Sequence, residues 1–326
     1  MVRYILQRIL QMIPLLLIIS FIAFGIIRVA EVVANADPLA PMKMNPSVTE
    51  ERLQLERERL ALDKPFIIRY GVWLKNFATG NMGESYAYKT SVAKLIQSRL
   101  TNTAILGVAT LVVTWLIAIP LGIYLAVRQY SFIDQVFSSI SYFFMGFPDF
   151  FLAIIFLLVA ASTGLFPVGG MTVVSHNELS MGGKFMDVIH HLILPTLTLS
   201  LISVASLQRR MRANMLDILG EEYIKTARAK GLSEDKVIYK HAVRNAINPI
   251  VTLLGFEIAG LISGAAFVEI IFNWPGLGNM MLQAVLGTDL NLVMAGLIIS
   301  SFMLLLGNLI ADLLLGFVDP RIKLEA

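Results

Sequence analysis

The chain has 326 residues, 56% of them hydrophobic and 15% charged, with a mean hydropathy of +0.73. That balance leaves too little polar surface for a soluble globule of this size, so the bilayer is the expected solvent. The net charge of +3 is not distributed like a nucleic-acid footprint, and the absence of cysteine excludes a disulfide framework, a thiol nucleophile and a thiolate metal site.

Six windows meet or approach the roughly 20 apolar residues that a membrane helix needs. They are Ile9–Ile27, Thr101–Val127, Val136–Ser162, Leu192–Leu207, Ile250–Phe272 and Leu290–Leu315. An uncharged run as long as Thr101–Val127 exceeds the length of a core helix, which argues against soluble all-α packing. The fold class read here is an all-α integral membrane protein of six transmembrane helices. Its layout is a first helix (1–30), a long extracytoplasmic loop (31–99), a core of five further helices (100–317) with a polar loop at 209–249, and a tail (318–326).

Arg3 and Arg8 before the first window and Ala34-Asn35-Ala36 after it have the outline of a cleavable leader. The apolar run of 19 residues is longer than a usual leader core of roughly 7 to 15, so this segment is expected to stay as a span. The stretch Glu31–Arg99 carries ten Lys or Arg and eight carboxylates and is nearly neutral. Within it, Val48–Asp63 reads as a short charged amphipathic helix with Leu53, Leu55 and Leu60 on its apolar side.

Orientation follows from Lys and Arg in short loops. With six spans both termini share a side with the loop Gln208–Asn248, and that side holds Arg3, Arg8, Arg128, Arg321 and Lys323 as well as the loop's own basic residues. The opposite short loops hold Lys184 and nothing basic from Asn273 to Asp289. Both termini and the basic loop are therefore expected in the cytoplasm.

Rival functions find little support. Neither H-E-x-x-H nor G-x-S-x-G occurs, and no phosphate cradle of the form G-x-x-x-x-G-K-[ST] is present. Adjacent His190 and His191 would point about 100° apart on a helix, poor geometry for one metal. No cofactor is expected in this chain, and no covalent chemistry.

The loop Gly220–Ile250 divides into two helices. Glu221 and Glu222 suit the positive end of a first helix, with Lys225, Arg228 and Lys230 in its later turns and Gly231 at C′. Ser233 is placed to cap a second helix that starts with Glu234 and Asp235 and carries Lys236, Lys240 and Arg244 later, until Pro249 marks the fifth span. Tyr223, Ala227 and Lys230 fall on one face, where Thr226, Ala227 and Ala229 let a partner approach closely. A hairpin lying on anionic lipid is the plainer alternative.

The residues of this loop, Glu221-Glu222-Tyr223-Ile224-Lys225-Thr226-Ala227-Arg228-Ala229-Lys230-Gly231-Leu232 and then His241-Ala242-Val243-Arg244-Asn245-Ala246, resemble the cytoplasmic EAA loop of permease subunits in binding-protein-dependent ABC importers. The wording is most similar to the dipeptide, oligopeptide and nickel branch. Agreement extends to Gly80–Ser85, Phe147–Ile154, Val268–Gly278 and the C-terminal ADLLLGFVDPRIK. The chain departs from the general pattern at Lys225, where Glu is usual, and at Val243-Arg244, where Leu-Pro is usual, while keeping Pro249. Asn35–Pro38 stands where Gly-Asp-Pro is commoner.

The resemblance implies an ATP-driven importer of peptides in a bacterial cytoplasmic membrane, with nickel chelates or glutathione-type compounds as alternative cargo and a gradient-driven carrier as a remoter one. Implied partners are a homologous second permease subunit, two ATPase subunits that hold the ATP and magnesium, and an extracytoplasmic substrate-binding protein. The loop would be a coupling helix that docks on an ATPase, with Glu222, Tyr223, Ala227, Ala229 and Gly231 carrying the contact.

In the fifth window, Gly260-x-x-x-Gly264 permits close helix approach. Glu257 is an ionisable group inside a span, costly unless it meets a partner or a watery cavity. Glu257, Gly260 and Gly264 are the candidates for the translocation path. Pro120, Pro148 and Pro195 can bend their spans, and Asn273–Met281 reads as an external turn.

Overall fold

The computed structural model describes residues 2–33, 37–43, 48–251, 253–254, 257 and 265–318. In chain order these form α1 (Val2–Val33), α2 (Ala40–Lys43), α3 (Glu50–Arg59), α4 (Phe66–Ala78), the strands β1 (Glu84–Ser85) and β2 (Thr90–Ser91), and α5 (Val92–Val127). Next come α6 (Phe132–Met145), α7 (Asp149–Thr163), α8 (Met181–Leu219), α9 (Glu222–Ala229), a wide π turn at Lys236–Ala242 and α10 (Val243–Ala246). The last three helices are α11 (Ala266–Ile271), α12 (Leu277–Leu286) and α13 (Leu290–Val318).

Among the described residues four helices are long and apolar enough to cross a membrane: α1, α5, α8 and α13. The third expected span is different, because α6 and α7 are bent by 101° at a short break. Local chemistry explains the break. Gly146 caps α6, and Phe147 precedes a proline, which disfavours helical backbone there. Pro120 and Pro195 instead lie inside continuous helices. The fourth span is a 39-residue helix rather than the short window expected, so Arg209, Arg210 and Arg212 continue it instead of beginning a loop. Much of the fifth window, with Gly260 and Gly264, lies outside the described residues.

The chain forms two compact units, one of residues 1–103 with 275–305 and one of residues 104–274 with 306–326. In the first unit an aromatic cluster joins α1 to α4: Phe21 and Phe24 meet Phe66, Tyr70 and Trp73 at centroid distances of 5.1 to 5.9 Å. Thr49 caps α3 by accepting from the Arg52 N–H at 3.3 Å. Leu53 is buried, but Leu55 is 61% exposed, a correction to the expected apolar side. Leu53 and Leu60, seven apart, share a helix face that Leu55 cannot join.

Asp289 pins the β-hairpin to the start of α13. One carboxylate oxygen accepts from Ser85 Oγ at 2.6 Å and the Ala87 N–H at 3.2 Å, while the other accepts from the Leu292 N–H at 3.2 Å. Asp289→Ala strands a buried hydroxyl and an uncapped helix start, a loss of about 2–4 kcal/mol from the two combined. Hydrogen exchange should show residues 84–91 losing protection, and unchanged protection would contradict this role. Asn273–Met281 is only partly a turn: Asn273 adopts φ 48°, and α12 begins at Leu277, whose N–H donates to Thr103 Oγ1 at 2.7 Å.

The second unit has its main core at the ends of α5 and α8. Ala118, Ile123 and Ala126 of α5 and Leu207, Met211 and Met215 of α8 pack with residues of the 220–250 loop. The helices approach closely at Gly122, where a Cβ would lie 2.7 Å from the Gln208 carbonyl oxygen. A second cluster joins Ala153 and Ala160 of α7 to Leu194 of α8 and Val268 of α11.

Candidate functional site

The basic loop is folded onto the helix ends rather than lying free. In α9, Ile224 is fully buried and Ala227 is 7% exposed, and both pack with Val237, Ile238, Ala242 and Ala246 against Met211 and Met215. The turn that closes α9 is set by Gly231 at φ +76°, with its N–H on the Arg228 carbonyl at 2.9 Å. A Cβ on Gly231 would meet nothing within 4 Å, so glycine is needed there for its backbone and not for space.

The structure separates the five residues expected to carry a contact. Glu222, Tyr223, Ala229 and Gly231 are exposed, whereas Ala227 faces the chain's own core and supports the others from beneath. The expected face of Tyr223, Ala227 and Lys230 is thus divided, because the burial stripe Ile224 and Ala227, three residues apart, takes the inner side. Glu222 pairs with Lys225 at 2.7 Å. The Tyr223 hydroxyl accepts from Asn245 Nδ2 at 3.0 Å, tying α9 to α10, which precedes the fifth expected window.

The second expected helix begins at Glu234, but its middle widens into the π turn, which turns Val237, Ile238 and Ala242 all inward. Ser233 contributes its carbonyl, which accepts from the Val237 N–H at 3.1 Å. Three positioning interactions escaped the sequence reading. Arg228 grips Glu234 across the Gly231 turn with two hydrogen bonds, at 2.6 and 3.2 Å. That hydrogen bonding holds the Glu234 carboxyl below its ordinary range, although an exposed pair adds no more than about 1 kcal/mol.

Below the loop, Arg212 of α8 makes a two-pronged contact with Asp134 of α6, both bonds at 2.7 Å, and Asp134 also accepts from the Tyr130 N–H at 2.9 Å. Asn214 Nδ2 donates to the Ala246 carbonyl at 3.2 Å. Asp134 was legible as the third residue after Ser131, whose Oγ accepts from the Asp134 N–H at 3.2 Å in a helix-start pattern. Nothing local marks Arg212 or Asn214, because their partners are distant in sequence.

In the fifth expected window, Glu257 is half-buried and accepts from the Trp115 indole N–H at 2.9 Å. A glutamine can keep that bond, so Glu257→Gln is expected to unfold within about 0.5 kcal/mol of wild type, whereas Glu257→Leu strands the indole at a cost of about 1–3 kcal/mol. Thermal unfolding in detergent separates the two, and equal losses would remove the bond's significance. His190 Nε2 meets the Leu165 carbonyl oxygen at 3.0 Å and His191 Nδ1 meets that of Asp187 at 2.8 Å, so the adjacent histidines take different partners. Among the described residues no group of three or more His, Asp or Glu is arranged to hold a metal.

Residues 118–324 match the family described as "Binding-protein-dependent transport system inner membrane component", and residues 1–107 match its N-terminal companion, "Binding-prot-dependent transport system membrane comp, N-term". The chain is 38% identical to the "Oligopeptide transport system permease protein AppB" of Bacillus subtilis over 99% of its own length and 100% of that protein's. It is 32% identical to the "Dipeptide transport system permease protein DppB" of Escherichia coli over 99% of both chains. With the apolar helices and the folded loop between α8 and α11, these matches make the chain a multi-pass membrane transport protein belonging to the family of binding-protein-dependent ABC importer permeases.

Proposed function

We propose that this chain is one permease subunit of an ATP-driven peptide importer in a bacterial cytoplasmic membrane, with six spans and both termini in the cytoplasm. It would form the translocation path with a homologous second permease, receive di- or oligopeptides from an extracytoplasmic binding protein, and be driven by two ATPase subunits that hold ATP and magnesium. The observation that carries the reading is the seating of α9: a short helix with an exposed outer face, anchored by Ile224 and Ala227 on the ends of α5 and α8. A gradient-driven carrier has no use for such a rigid surface.

Glu222, Tyr223, Ala229 and Gly231 would touch the ATPase directly, and Ala227 would hold the helix at the right height. Force applied to α9 reaches α8 through packing at Met211 and Met215, and α6 through Arg212 and Asp134. Glu257, Gly260 and Gly264 remain the proposed lining of the path, where Glu257 would sit beside the peptide while bonded to Trp115.

The reading is tested by purifying the chain with its neighbours in the membrane and measuring peptide uptake into vesicles. Co-purifying ATPases and uptake that requires ATP and a binding protein are expected. Uptake by the lone chain driven by an ion gradient would refute it.

A further inference from the structure

Arg69, on α4, is 6% exposed, and its Nε and Nη1 have no hydrogen-bond partner among the described residues. Buried polar groups are nearly always paired, and a guanidinium is always charged, so this vacancy needs an explanation. Glu31 is the obvious partner but is already committed. Its Oε2 accepts from Arg28 Nη1 at 2.7 Å and makes with Arg69 Nη1, at 3.5 Å, an ion pair that lacks hydrogen-bond geometry.

Arg28, Glu31 and Arg69 line a cavity of about 40 Å³ within the first unit, with Phe24 and Trp73 among its apolar walls. A water needs about 10–15 Å³ of such space, so the cavity admits a group of a few heavy atoms and no more. Among the described residues that line it, two cations, Arg28 and Arg69, share one carboxylate, so the lining carries a net positive charge. The polar neighbours are occupied: Asn291 bonds Glu84 and Arg59, and the Tyr86 hydroxyl donates to Glu56 Oε1 at 3.2 Å.

The geometry points to a recessed subsite for a single carboxylate, held by Arg69, whose guanidinium lies over the Phe24 ring, in a cavity that Trp73 also lines. A monovalent, planar acceptor fits the free N–H groups and the charge balance. The carboxylate has two available sources, a small free organic acid or the C-terminus of a peptide. The second source rests on the proposed peptide transport, whereas the subsite itself does not.

The test uses the full-length chain in nanodiscs at constant ionic strength, with Trp73 fluorescence as reporter and Trp73→Phe to identify its signal. Acetate, N-acetyl-dialanine and the C-terminal amide of N-acetyl-dialanine are titrated in parallel. A saturable response to a carboxylate and none to the amide is expected. Acetate alone identifies a small-acid site, and N-acetyl-dialanine as well identifies a peptide terminus.

Arg69→Gln should weaken binding by at least about tenfold, as loss of a charged hydrogen bond does. Glu31→Gln, which keeps Arg69 and removes the competing negative charge, should tighten it several-fold. Because these variants move in opposite directions, loss of folding cannot imitate the pattern. An equal response to chloride, to the amide or in Arg69→Gln would overturn the subsite, and so would weaker binding in Glu31→Gln. None of these readouts involves ATP or transport, so the subsite and the importer reading fail separately.

Discussion

Gly231→Pro is expected to abolish coupled uptake while leaving the protein in the membrane. The position has φ +76°, and proline is locked near about −65°. Forcing an ordinary residue into the left-handed region costs on the order of 1–3 kcal/mol, and for proline it is sterically closed. The turn must therefore rearrange, and it takes with it the Arg228–Glu234 grip that spans it. The core beneath is formed by Ile224, Ala227 and Val237, none of which is altered, so insertion and span packing should persist.

On the proposed function, the expected readout is a fall in peptide uptake of more than about tenfold, the equivalent of about 1.4 kcal/mol of lost coupling, with basal ATP hydrolysis by the proposed ATPase partners retained. Ala229→Trp reaches the same end differently. It leaves the turn intact and adds bulk to the exposed outer face, so it should block docking with little change in thermal stability. Transport unchanged in both variants would remove α9 from the coupling path. Gly231→Ala serves as a graded control: nothing lies within 4 Å of the new Cβ, so only backbone strain remains and partial uptake is expected.

Arg212→Ala is the second large effect. The Asp134 side chain is buried and receives both prongs of Arg212, so removing the arginine leaves an uncompensated charge between α6 and α8. Breaking a fully buried pair from one side costs about 3–5 kcal/mol, and with Arg212 itself 22% exposed the loss here should fall below that range. Thermal unfolding of the detergent-solubilised chain should fall accordingly. Replacing both partners by neutral residues of similar size, Asp134→Asn with Arg212→Met, should recover most of the loss, because the desolvation cost disappears with the charges. If the double variant is no better than Arg212→Ala, the ion pair is not what holds these helices.

Much of this architecture was readable from local chemistry. The apolar windows at Thr101–Val127 and Leu290–Leu315 became α5 and α13, because length and uninterrupted apolarity leave few alternatives to a helix in lipid. The boundaries of α9 also followed from local signals: acidic residues at its start, arginine in its last turn and Gly231 beyond. The third window began at Val136, but α6 begins at Phe132, where Ser131 caps it by accepting from the Asp134 N–H.

Other features depended on partners far along the chain. Pro120, Pro148 and Pro195 look alike in sequence, yet only Pro148 sits at a break, where Gly146 also ends a helix. Periodicity placed Tyr223 and Ala227 on one face of α9. Which of them is exposed was decided by Met211, Met215 and Val237, which give Ala227 a core to enter.

By itself, then, the sequence determined that this protein is helical, lives in a membrane and carries an ordered, basic helix–turn–helix between two apolar regions, since hydrophobic run length, capping and charge bias act over a few residues. Only the tertiary structure decided that the loop rests on the ends of α5 and α8, that Arg212 closes on Asp134, that Trp115 meets Glu257 and that Arg69 is buried with two of its nitrogens lacking a hydrogen bond among the described residues. These depend on which side chains meet across tens to hundreds of residues, and packing, not local propensity, selects those meetings.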